Sequence, residues 1–166
     1  MLNSKKITSE YIAQAAITAA LYVVFTLISG AFGLSSSAVQ FRLSEAFCIL
    51  PCFFPAAVPG LFIGCLISNV ITGSAIWDII FGSIATLIGA LGTRWLRKRR
   101  FLAVIPPIMA NVIIVPVVLY FTANIASGIW LAFLTVGIGE VVCVGILGEL
   151  LYQLLDRHKN RLFKKT

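Results

Sequence analysis

The sequence predicts an all-α integral membrane protein, a bundle of six transmembrane helices with the N and C termini cytoplasmic. Three observations predict it. The 166 residues are 60% hydrophobic and only 11% charged, more apolar surface than a soluble domain of this size can hide. Twelve of the thirteen basic residues fall in three clusters, which are Lys5 and Lys6, then Arg94, Arg97, Lys98, Arg99 and Arg100, then Arg157, Lys159, Arg161, Lys164 and Lys165. Long apolar stretches separate these clusters, and positive charge in short loops marks the cytoplasmic face, so all three are placed on one side. Finally, Pro51, Pro55 and Pro59 punctuate an apolar stretch that must enter and leave by the opposite face.

The elements follow in order. Lys5 and Lys6 ahead of an apolar run can open a secretory signal, but Glu10 and Gln14 interrupt that run and it extends to about Gly30. It is long enough to cross the bilayer and reads as an uncleaved first helix, residues 10–30. Residues 77–96, 102–122 and 128–152 also reach the roughly 20 apolar residues that a span needs. Residues 43–73 are long for one helix and short for two. Charge parity excludes a single crossing there, and the three prolines support a hairpin of two shortened helices, 43–56 and 59–73. The rival count is four full spans with a re-entrant loop.

Tyr11, Trp77, Trp95, Tyr120, Trp130 and Tyr152 lie near predicted span ends, where amphipathic rings prefer the interface. Gly82, Gly89 and Gly92 in one span and Gly137, Gly145 and Gly148 in another suggest close helix packing. No linker or fixed-period repeat divides the chain, so residues 1–166 read as a single membrane domain. Cys48, Cys52, Cys65 and Cys143 all sit in apolar runs and read as buried reduced thiols. With His158 as the only histidine, no metal site is expected.

Arg42 is the cation outside the clusters. It and Glu45 are three residues apart, which on one helical face lets them neutralise each other, or lets the arginine hold a carboxylate offered to a ligand. Asp78 falls in the first turn of its helix, where an acidic side chain suits the backbone dipole, and it faces the same outer vestibule as Glu45. Glu140 is expected roughly 15 to 20 Å deep, counting about 1.5 Å per residue, and a carboxylate there must face the bundle interior and find donors. Asn111 and Asn69 are the reachable partners, either in an interhelical clasp or around a ligand. Ala15, Ala16, Ala19 and Ala20 form a small-residue stripe on the first helix that admits another helix closely, from within the bundle or from a separate membrane subunit.

Several classes are disfavoured. The chain has no Gly-x-x-x-x-Gly-Lys-Ser/Thr phosphate loop and so is not expected to hydrolyse ATP itself. It has no intramembrane histidine or supported nucleophile pair, which argues against an intramembrane hydrolase. The net charge of +7 carries no interleaved stacking aromatics, so contact with the lipid bilayer, not nucleic acid, accounts for it.

The stretch Val39-Gln40-Phe41-Arg42-Leu43-Ser44-Glu45-Ala46, with Leu50-Pro51, Gly60-Leu61, Gly64-Cys65, Asn69, Trp77-Asp78-Ile79, Phe81-Gly82-Ser83 and Ala85-Thr86-Leu87, resembles the QueT family of queuosine-precursor transporters. The similarity is densest over residues 39–92. That family belongs to the substrate-capturing S components of energy-coupling factor (ECF) transporters, six-helix bundles of a prokaryotic plasma membrane.

The resemblance implies partners: a transmembrane coupling subunit and two ATPase subunits, which use ATP and Mg, while this chain carries no cofactor. It implies that the alanine stripe, Ala16-x-x-x-Ala20 above all, meets the coupling subunit. The implied substrate is a 7-deazaguanine, namely 7-aminomethyl-7-deazaguanine, its nitrile precursor or queuine. A guanine-like edge presents adjacent N–H donors that a carboxylate accepts, and an aminomethyl ammonium needs a second acceptor. Glu45, Asp78 and Glu140 are candidates for these tasks, Asn69 and Asn111 for the carbonyl and ring nitrogens, and Phe41 or Trp77 for stacking. Arg42 is assigned to orienting Glu45 or meeting the carbonyl, and Gln40 in the matched stretch joins the candidate set. An S component for another vitamin and a small membrane enzyme or structural membrane protein remain as alternatives.

Overall fold

The structure, a computed structural model, describes residues 8–33, 41–122 and 128–162, with side chains to residue 158. Among the described residues it is built from helices alone. Helix α1 spans Ser9–Ala31, with Thr8 at its N-cap accepting from the Tyr11 amide. A 3₁₀ helix, Leu43–Cys52, comes next, then α2, Ala57–Ile71, and α3, Ile76–Trp95. A single 3₁₀ turn, Arg100–Leu102, leads into α4, Ile105–Thr122. The last helical run comprises α5, Ile129–Glu140, a π segment, Val141–Leu147, and α6, Gly148–Leu162.

Four helices are long and apolar enough to cross a membrane: Ser9–Ala31, Ile76–Trp95, Arg100–Thr122 and Ile129–His158. Leu43–Cys52 and Ala57–Ile71 are apolar but shorter. At about 2.0 Å per residue for a 3₁₀ helix and 1.5 Å for an α-helix, each of these two reaches only some 20 to 23 Å, short of a roughly 30 Å hydrocarbon layer.

The stretch expected as an α-helix over 43–56 is instead 3₁₀-wound and stops at Cys52. Pro51 has no amide to continue the ladder, and every residue from Ser44 to Pro51 is buried. Packing from all sides, not an amphipathic period, therefore sets the local winding. This helix runs through the interior against α1, α3, α6 and the π segment. Phe47, Leu50, Val58, Leu61 and Ala90 enclose Tyr22 in the apolar core.

Two close approaches fix the layout. A Cβ at Gly60 would stand 2.7 Å from the Ala15 carbonyl oxygen and from Thr18 Cβ, and one at Gly64 would stand 2.8 Å from Tyr22 Cβ and 3.0 Å from Ala19 Cα. Only hydrogen at those positions lets α1 and α2 lie so near. Similarly, Gly89 and Gly92 of α3 admit Pro107 and Pro106 of α4. Those prolines occupy the first turn of α4, where a missing N–H costs no helical bond.

At the opposite end of the 3₁₀ helix from Glu45, Arg94 Nη1 donates to the Pro51 carbonyl at 3.0 Å. Arg100 forms an ion pair with Glu149 and lies over the Tyr152 ring, 4.9 Å from its centroid. Arg94 and Arg100 of the second basic cluster thus have internal partners, while Arg97, Lys98 and Arg99 are exposed. Trp95 and Trp130 are also largely exposed, as rings at a membrane interface would be.

Candidate functional site

The candidate site begins with a polar stripe on α1. Thr18, Tyr22, Thr26 and Ser29 recur every three or four residues and all are buried, so they share one face of the helix. Thr18, Thr26 and Ser29 each return a hydroxyl hydrogen to the carbonyl one turn earlier, at 2.8, 2.9 and 2.8 Å. Thr26 Oγ1 also lies 2.8 Å from Ser44 Oγ, where its lone pair can accept the serine hydroxyl, and Ser29 Oγ accepts from the Leu43 amide at 3.0 Å. These bonds pin the start of the 3₁₀ helix to α1.

The pinning sets the position of Glu45, which is 1% exposed. Its Oε1 accepts from the Tyr22 hydroxyl. Its Oε2 accepts from Cys48 Sγ at 3.1 Å and from Asn111 Nδ2 at 3.2 Å. Glu45 therefore does not open onto an outer vestibule, as expected from the sequence, but sits in the interior with donors from α1, its own helix and α4. The expected direct pairing with Arg42 is not formed. Among the described residues no ion pair within 4 Å joins them, because Arg42 precedes the helix in an extended conformation, φ −107° and ψ 98°. The three-residue spacing thus carries none of the facing that it has within an α-helix. Arg42 instead lies within electrostatic reach of Glu45, Glu140 and Asp78.

Glu140 ends α5 and immediately precedes the π segment, a winding often found at functional positions. It is 7% exposed, interacts with Asn111 and lies within electrostatic reach of Glu45 and Arg42. Its Oε2 is buried without a hydrogen-bond partner. Asn69, 1% exposed, directs Nδ2 to Cys65 Sγ and to the Asp78 carbonyl, both at 3.5 Å. Its Oδ1 is likewise buried and unpartnered. Cys65 also accepts from Thr86 Oγ1 at 3.3 Å, which ties α2 to α3. All four cysteines are free.

The structure thus brings together Glu45, Asn111, Glu140, Asn69 and the Arg42 guanidinium, with Asp78 half-buried at the start of α3. Phe41 is half-buried beside Arg42 in the chain. Gln40 lies outside the described residues. Trp77 is set apart: it stacks on Phe81, centroids 6.0 Å apart, and lines an apolar cleft of about 600 Å³ between α3 and α4 with Ile113, Val117 and Phe121.

The alanine stripe is divided between two surfaces. Ala15 and Ala19 pack on Gly60 and Gly64 of α2, whereas Ala16 and Ala20 are exposed.

Sequence reasoning missed Tyr22, Cys48, Cys65 and Thr86. A signal for Tyr22 was present: of the seven tyrosines and tryptophans it alone lies in the middle of a span, within the Thr18–Ser29 polar repeat.

Comparison with known proteins identifies the family. Queuosine precursor transporter QueT of Lactococcus lactis subsp. cremoris (strain MG1363) is 36% identical over 84 residues, which cover 51% of this chain and 49% of that protein. The match therefore spans about half the length of the curated relative. No solved structure matches the chain significantly. The family model described as QueT transporter matches residues 12–157, a range that holds every described element of the site, and the chain belongs to the QueT transporter family.

Proposed function

We propose that this multi-pass membrane protein is the S component of an ECF importer and captures a 7-deazaguanine queuosine precursor. The observation that carries the proposal is a buried cluster, rich in hydrogen-bond acceptors, at the centre of the bundle. Asn111 donates to Glu45 and interacts with Glu140, with Arg42 as the nearby cation. A membrane protein retains ionisable groups in its interior where they meet a ligand or a transported species. A ligand rich in N–H groups suits this set, and a 7-deazaguanine offers a pyrimidine edge with adjacent donors. The named activity of the Lactococcus lactis relative supports the same substrate class.

In this reading the four long helices and the two short ones form a six-helix bundle with both ends in the cytoplasm. The substrate arrives from the outer side, near Arg42. A transmembrane coupling subunit docks on the exposed face of α1 at Ala16 and Ala20, and two ATPase subunits supply ATP hydrolysis with Mg. Small side chains on that face let a partner helix approach closely.

Two measurements test the proposal. Purified protein is titrated calorimetrically with 7-aminomethyl-7-deazaguanine, the 7-cyano base and queuine, with riboflavin, biotin and thiamine as competitors. Binding of a deazaguanine and not of the vitamins is expected, and the reverse would assign the chain another cargo. Co-purification from its native membrane with a coupling subunit and ATPases is expected as well, and a chain that transports with none of them would defeat the S-component assignment.

A further inference from the structure

We propose that Glu140 and Asn69 receive the ligand's hydrogen-bond donors, while Glu45 is a positioning residue that holds the frame of the site. The inference rests on the reading above that the interior cluster binds a deazaguanine, and it divides the work among the cluster's acceptors.

Glu45 is already engaged. Its two oxygens take three donors, from Tyr22, Cys48 and Asn111, on three separate segments of the fold. A carboxylate so held ties α1, the 3₁₀ helix and α4 together, and a ligand would have to displace a protein donor to reach it.

Glu140 Oε2 and Asn69 Oδ1 are in the opposite condition, each buried and without a partner. Buried acceptors are almost always satisfied, and one left without a donor raises the free energy of the unliganded fold, more so when it is charged. The orientation of the Asn69 amide follows from its surroundings. The Asp78 carbonyl can only accept, so the amide N–H must face it, and that turns Oδ1 the other way. Both open acceptors connect to Glu45 through one intermediate: Glu140 through Asn111, and Asn69 through Cys65, which lies within electrostatic reach of Glu45. They belong to one polar cluster.

The two acceptors differ in charge, and so do their preferred donors. An ammonium group suits the Glu140 carboxylate, which has no ion pair within 4 Å among the described residues. A neutral ring or exocyclic N–H suits the Asn69 carbonyl. The site therefore fits a cationic base that also carries a neutral donor. Replacing the aminomethyl group by a nitrile removes both the charge and the donor and leaves Glu140 unpartnered. A site built to bond a donor discriminates strongly against an analogue lacking it.

The test is a calorimetric titration of the full chain with the aminomethyl and the cyano base, on the parent and on Glu140→Gln, Asn69→Leu and Glu45→Gln. The parent is expected to favour the aminomethyl base by about tenfold or more. Glu140→Gln should abolish that preference by weakening the aminomethyl base alone. Asn69→Leu should weaken both bases and leave their ratio unchanged. Glu45→Gln should weaken both by a common factor and lower the thermal midpoint. A Glu45→Gln protein that loses the ratio, beside a Glu140→Gln protein that keeps it, would overturn the inference, as would a parent that favours the nitrile. Should Glu140→Gln not fold, the Asn69→Leu result decides: unchanged affinity for both bases overturns it. Failure of the parent to bind either base would overturn the proposed function itself.

Discussion

The Tyr22 hydroxyl donates to Oε1 of Glu45, a bond across 23 residues that joins the middle of α1 to the first turn of the 3₁₀ helix. Both residues are 1% exposed, so no water competes for either partner. Hydrogen bonds to a charged group in such surroundings contribute about 1.5–3 kcal/mol. Tyr22→Phe keeps the ring and deletes the donor. We expect it to lower stability in detergent by about that amount, measured by thermal unfolding. An unchanged midpoint would mean that the bond contributes nothing to the fold.

Gly64 admits α1 at a distance that a side chain forbids, with Tyr22 Cβ only 2.8 Å from where its own Cβ would lie. Gly64→Val should cost about 1–3 kcal/mol through overpacking. Gly137 is the control. The nearest atom to its would-be Cβ is Val112 Cγ2 at 3.8 Å, an ordinary contact, so Gly137→Ala should change stability by no more than about 0.5 kcal/mol. Equal effects of the two substitutions would show that close α1–α2 packing does not govern stability.

Ala16 and Ala19 are neighbours on α1 with opposite fates, the first exposed and the second buried. Ala16→Leu should leave the isolated protein's unfolding unchanged and, on the proposed function, block co-purification with a coupling subunit. Ala19→Leu should instead destabilise the isolated protein by about 1–3 kcal/mol. Retention of the partner by Ala16→Leu and Ala20→Leu together would place the docking surface elsewhere.

Arg100 and Glu149 pair at the other end of the bundle with side chains 33% and 18% exposed. Partial exposure limits the strength of this pair, and a double-mutant cycle with Arg100→Gln and Glu149→Gln should give a coupling of about 1 kcal/mol. Raising the salt concentration should reduce it only partly, because the pair is half-shielded. A coupling of zero would make the pair incidental to how the basic turn is held.

Much of this architecture could be read from the chain. Hydropathy found the long helices to within a few residues at most ends, because a lipid-facing backbone must satisfy its own hydrogen bonds and that demand is local. Pro55 lies in the break between the two short helices, while Pro51 and Pro59 sit in the last turn of the first and the first turn of the second. The winding of the first short helix was not legible. Residues 44–51 are buried on every side, so no periodic pattern distinguishes a 3₁₀ from an α turn. The last helix was expected to end at residue 152, but it continues to Leu162 on a polar, amphipathic stretch that hydropathy alone does not recognise.

The candidate site divides in the same way. Composition and spacing were enough to single out Glu140, Asn111 and Asn69 as polar residues in an apolar setting, since each alone violates what hydrocarbon tolerates. Which groups they meet depends on how the helices rotate about their axes and on where the 3₁₀ helix enters the bundle. That is why the sequence paired Glu45 with Arg42, three residues away, whereas the fold gives it Tyr22 and Asn111, 23 and 66 residues away. Solvent preference is a property of each residue and survives in the linear order. Hydrogen-bond partnership between distant residues arises only when the packed helices bring them within 3 Å or so of each other.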